Sequence, residues 1–90
     1  MKKHLNITVY GKVQGVYFRA STKAKADEMG VCGTVENKAD GSVFIRAEAP
    51  HEVLERFLSW CEEGPENAVV EKIEKHQKGL QHFEAFNIIS

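Results

Sequence analysis

The chain has 90 residues, 42% hydrophobic and 28% charged, the mix of an ordinary soluble globular protein. That length is expected to give one domain over residues 1–90, burying under about 70% of its unfolded surface. Twelve basic and thirteen acidic residues leave a formal net charge of −1, which excludes a general attraction to nucleic acid or anionic membrane but not a local positive pocket.

Leu5, Ile7 and Val9 alternate with Asn6, Thr8 and Tyr10, the period-two pattern of a half-buried strand. Residues 11–18 read as a loop. Residues 19–29, rich in alanine and lysine, predict a helix with Ala20, Ala24 and Met29 on or near one face and Ala26 widening the stripe. Gly30 follows as a left-handed terminator. Residues 33–37 and 42–48 flank Lys38-Ala39-Asp40-Gly41, and Asp-Gly between apolar runs predicts a hairpin. Pro50 suits the first turn of a second helix, along which Val53, Leu54, Phe57, Leu58 and Cys61 recur at helical spacing. Gly64-Pro65 stops it. Phe57 and Trp60 read as core. Residues 69–76 predict a strand whose confused alternation suggests an edge or a bulge, and residues 83–89 a last short strand through Phe86 and Ile88. The order βαββαβ plus a terminal strand predicts an α+β, ferredoxin-like sandwich: an antiparallel sheet of four to five strands with two helices on one face.

No apolar run reaches membrane-helix length, and Met-Lys-Lys-His-Leu lacks the apolar core of a secretion signal, so a cytoplasmic location is expected. Cys32 and Cys61 are then expected to be reduced thiols. His4, His51, His76 and His82 are scattered, with no two at ligand spacing. All four read as surface residues, and no metal site is expected.

The most informative stretch is Gly11-Lys12-Val13-Gln14-Gly15-Val16-Tyr17-Phe18-Arg19, between the first strand and the first helix. A glycine turn there leaves backbone N–H groups unpaired at the positive end of a helix dipole, an arrangement that binds anions and phosphate above all. Arg19 adds a planar fork of donors matching phosphate oxygens. Bare Gly-x-x-x-Gly spacing is weak, being neither the P-loop nor the dinucleotide fingerprint. Chemistry alone leaves two readings side by side: an anion site, or a tight turn with a solvated arginine.

The whole string closely resembles the signature loop of the acylphosphatase family. The resemblance continues at Gly33-x-Val35-x-Asn37, Asp40-Gly41-x-Val43 and Gly64-Pro65-x-x-Ala68-x-Val70, in the family's order and spacing, and so spans nearly the whole chain. It implies hydrolysis of the carboxyl–phosphate bond of acyl phosphates to a carboxylate and inorganic phosphate. The backbone amides around Gln14, Gly15, Val16, Tyr17 and Phe18, with the Arg19 guanidinium, would hold the phosphoryl oxygens, and Asn37 would orient the attacking water. The substrate's own phosphate would take the water's proton, in keeping with the lack of an obvious base near the motif. The resemblance implies no cofactor and no metal, and inorganic phosphate as product and competitive inhibitor. No nucleic-acid or membrane partner is expected, and the state expected is a monomer.

Structural roles compete at several positions. Val13, Val16 and Phe18 suit anchoring in the core, Tyr17 the pocket rim, and Lys12 either added positive potential or plain solvation. Asn37 before a turn is by default a turn former. Three residues depart from the family pattern: Thr34 where an aromatic is usual, Glu36 where a basic or neutral polar residue is usual, and Ala49 for a glycine. Strand alternation turns Thr34 and Glu36 away from the face of Val35 and Asn37, yet a negative charge one residue from Asn37 is expected to raise KM. Two other readings keep the fold. One is a non-catalytic anion- or phosphate-binding module. The other, an RNA-binding sheet, needs exposed aromatics in a basic surround, for which Phe44 is the single candidate.

Overall fold

The period-two alternation runs further than its apolar members suggest. In the computed structural model, which describes residues 1–89, strand β1 spans Lys2–Lys12 and buries Ile7 and Val9 completely. There follow α1 (Phe18–Met29), β2 (Cys32–Asn37), β3 (Val43–Pro50), α2 (His51–Glu63), β4 (Val69–Lys78) and β5 (Phe86–Ile89). Both helices lie on one face of a five-stranded sheet of order β4-β1-β3-β2-β5, with α1 over β2 and β5 and α2 over β1, β3 and β4. This is the expected ferredoxin-like α+β fold.

The sheet is mixed, which corrects the expectation of antiparallel pairing throughout: β5 runs parallel to β2, matching Val35 with Ile88. The cause is the connection. β4 occupies one edge, and residues 79–85 carry the chain to the opposite edge at the same end of the sheet. β5 must therefore run against β4, which is the direction of β2. The amide of Gly33 donates to the Ala85 carbonyl at 2.9 Å where the new pairing begins. β4 is the edge strand its irregular pattern suggested, with a bulge opposite Tyr10 and Gly11.

The buried face of α1 also differs from expectation. Ala20 and Ala24 are exposed, and the core receives Phe18, Thr22 and Ala26, four residues apart. Phe18 decides the rotation, because an aromatic side chain buries far more apolar area than an alanine. Thr22, in turn, satisfies its hydroxyl on the Phe18 carbonyl at 2.7 Å. Gly30, at φ +76°, ends the helix and donates to the Ala26 carbonyl. Pro50 sits one residue earlier than expected, closing β3 and preceding the first turn of α2. Leu54, Phe57, Leu58 and Cys61 are buried as predicted, and burial pushes the Cys61 thiol up, out of the reactive range. Cys32 and Cys61 are both free. Where the helices meet, the Trp60 ring lies 5.9 Å from Phe18 and 6.4 Å from Phe57, and Phe57 meets Phe86 edge-on at 6.3 Å.

His4 overturns the expectation of four surface histidines. It is fully buried, although its face of the sheet carries no helix. Residues 79–85 cover it: Phe83 stacks on its ring, and Glu48, its cross-strand partner, lies 2.8 Å from Nδ1. Glu48 also accepts from the amides of Gln81 and Phe83, so the buried pair fastens the crossing segment to β1 and β3. His51, His76 and His82 are exposed as expected.

Candidate active site

Gly11 gives the chain its exit from β1. Its φ is +131°, and a Cβ there would lie 2.1 Å from the Val69 carbonyl oxygen, so the approach of β4 leaves room only for hydrogen. Val13 and Val16 then anchor the loop in the core. Tyr17, left-handed at φ +61°, immediately precedes α1. That conformation costs a non-glycine residue on the order of 1 kcal/mol, and Tyr17 remains 81% exposed, so packing does not offset it.

The first backbone hydrogen bond of α1 runs from the Ser21 amide to the Tyr17 carbonyl at 3.0 Å. The amides of Phe18, Arg19 and Ala20 precede it, no side chain caps this end, and no acidic residue occupies the first turn. Unpaired amides and the positive dipole end thus face outward together. Arg19 adds a full positive charge at the position where the dipole disfavours one. Among the described residues it forms no ion pair. Among the described residues no carboxylate pairs with Arg19 or caps this end, a setting that favours an anion.

Gln14 brings the second half of the site into place. Its side-chain amide donates to the carbonyls of Lys38 and Ser42, both at 2.8 Å, and ties the loop to the β2–β3 hairpin. The hairpin is itself set by Asp40, which accepts from the Ser42 hydroxyl at 2.6 Å and the Ser42 amide at 3.0 Å. Those bonds hold its carboxyl below the ordinary value. Asn37, the last residue of β2, consequently shares a concavity of about 440 Å³ with Val13, Gly15, Tyr17, Phe18, Arg19, Ala20 and Ile88.

Of the residues expected in the site, Gly15, Tyr17, Phe18, Arg19 and Asn37 line this concavity. Val16 is buried behind it, the Gln14 side chain is occupied by the tether, and Lys12 is not part of the wall. Ile88 was not anticipated. No local pattern announces it, because β5 is short and its place beside β2 depends on the crossing segment. Thr34 and Glu36 lie on the opposite face, as alternation requires. Glu36 does not present a bare charge. Partial burial works to raise its pKa, but Lys38 at 3.2 Å and Arg46 at 3.1 Å outweigh that and hold it below the ordinary value. The same two cations bracket the Phe44 ring at 4.9 and 4.8 Å, leaving that aromatic engaged within the sheet.

The fold and site together define an α+β sandwich with a concavity at the uncapped start of its first helix, lined by Arg19 and Asn37. A family model described as Acylphosphatase matches residues 5–88. An acylphosphatase of Gloeobacter violaceus is 45% identical over 82 residues, covering 88% of this chain and 88% of that relative. An acylphosphatase of Marinobacter nauticus is 52% identical over 68 residues, covering 76% and 74%. The crystal structure of acylphosphatase from Bacillus subtilis superposes with a TM-score of 0.95 at 33% identity, covering all of both chains. The chain belongs to the acylphosphatase family and is a hydrolase of acyl phosphates. No described helix is long and apolar enough to cross a membrane.

Proposed function

We propose that the phosphoryl group of the substrate sits against the start of α1, held by the loop amides from Gln14 to Phe18 and by the Arg19 guanidinium, and that the Asn37 amide orients the attacking water. The observation that carries this reading is the unpaired Arg19 beside uncapped amides, in the concavity that Asn37 shares.

Water attacks phosphorus, and the bond from phosphorus to the carboxylate oxygen breaks. The carboxylate leaves with the bonding pair, and a phosphoryl oxygen takes the water's proton, giving carboxylate and inorganic phosphate. The transition state is loose and spreads charge over the peripheral oxygens, so fixed donors aimed at them supply most of the acceleration. A carboxylate leaves without needing a proton, which suits a site whose wall, among the described residues, holds no histidine or carboxylate.

Arg19→Ala tests the reading through phosphate release from benzoyl phosphate. Loss of a donor to a developing oxyanion lowers kcat by about a hundredfold or more, and kcat/KM is expected to fall at least that far. A folded Arg19→Ala protein with near-normal kcat/KM would contradict it.

A further inference from the structure

The concavity has two kinds of wall. Arg19, Asn37 and the free amides form a polar end, while the remaining lining is largely apolar. Val13 and Phe18 are sealed into the core, but Tyr17 and Ile88 are 81% and 40% exposed. Ile88 pairs in register with Val35, so it faces the helix side of the sheet along with Asn37, two positions further along β2. Tyr17 approaches from the loop in a conformation that disfavours it. Tyr17 gains little from the fold where it stands, Ile88 keeps part of its side chain exposed, and both border the space left once a phosphoryl group occupies the polar end. In an acyl phosphate, the group bonded next to the phosphoryl group is the acyl carbon chain.

We propose that Tyr17 and Ile88 form the subsite for the acyl group, so that this enzyme selects acyl phosphates with an extended apolar acyl chain over the acetyl homologue. The inference rests on the phosphate placement given above. Apolar contact made by the substrate and retained in the transition state raises kcat/KM.

The test is kcat/KM for acetyl, butanoyl and hexanoyl phosphate, whose parent acids differ little in acidity, so the leaving group stays constant while the chain grows. A fully buried methylene is worth about fourfold, and one laid on an open wall about twofold. In the native protein kcat/KM is therefore expected to rise about twofold per methylene. Ile88→Asn should flatten this slope while inorganic phosphate inhibits as before, and Ile88→Val should keep most of it. Tyr17→Gly, whose amide belongs to the phosphate loop, should flatten the slope whatever its effect on phosphate inhibition. Tyr17→Gly suits the observed φ and should fold. A flat native slope, a slope surviving in either flattening variant, or loss of phosphate inhibition in Ile88→Asn would overturn the subsite. If Arg19→Ala keeps its phosphate affinity, the phosphate placement is what fails.

Discussion

Arg19 stands where helix electrostatics alone would not put it. A cation in the first turn opposes the dipole, typically by about 0.3–1 kcal/mol, and no acidic residue shares that turn. Function and stability therefore pull apart at this residue. In phosphate-free buffer Arg19→Gln, which keeps part of the aliphatic stem, is expected to be as stable as the native protein or up to about 1 kcal/mol more stable. Added phosphate should raise Tm of the native protein by mass action and leave the variant's nearly unchanged. Thermal denaturation with and without phosphate checks both; a phosphate-dependent Tm rise in Arg19→Gln as large as in the native protein would mean that the anion sits elsewhere. The residue type and its place after a glycine turn made Arg19 legible in the sequence. The job of the Gln14 side chain was not, since its acceptors are backbone carbonyls 24 and 28 positions away. No pattern of residue types marks a bond to main chain.

At the scale of elements, the crossing segment between β4 and β5 depends on one carboxylate. Burial works to raise the pKa of Glu48, but the Gln81 amide, His4 and the Phe83 amide outweigh it and hold the carboxyl below its ordinary 4.5. With the folded value depressed, the unfolded chain takes up the proton first as pH falls. The stability Glu48 contributes is present above about 4.5 and lost as pH drops through the lower folded value. Breaking a buried pair by removing one partner costs about 3–5 kcal/mol. Glu48→Leu is expected to approach that loss at neutral pH, and Glu48→Gln to destabilise less while flattening part of the acid limb. Denaturant midpoints between pH 7 and pH 3 would show it; a Glu48→Gln curve parallel to the native one would remove Glu48 from the acid response. Little of this could be read in advance. His4 has the sequence context of a polar strand residue near the start of the chain, and only the long-range covering by residues 79–85 buries it. The direction of β5 was hidden for the same reason, because a four-residue strand carries no signal for parallel pairing. Long strands and helices were legible through periodicity, and β4 even announced its edge position through its broken alternation.

For the molecule as a whole, a net charge of −1 gives no general pull on an anion, so in the proposed mechanism the attraction to substrate is local, at Arg19 and the start of α1. Among the described residues no group of three or more histidines, cysteines or carboxylates is placed to hold a metal ion. Activity is accordingly expected to survive dialysis against a strong chelator. Loss of turnover restored by a divalent ion would contradict the mechanism. The central feature of the proposed mechanism is its division of labour: Arg19 and the loop would hold phosphate, while Asn37 would act on water. An interaction made only in the transition state lowers kcat and kcat/KM together and leaves ground-state binding alone. The most direct measurement is therefore kcat for benzoyl phosphate in Asn37→Ala, taken together with its competitive inhibition constant for inorganic phosphate. The expected result is a steep fall in kcat with phosphate inhibition nearly unchanged, whereas Arg19→Ala should lose both. Normal turnover by Asn37→Ala would reduce Asn37 to a turn residue and contradict the assignment.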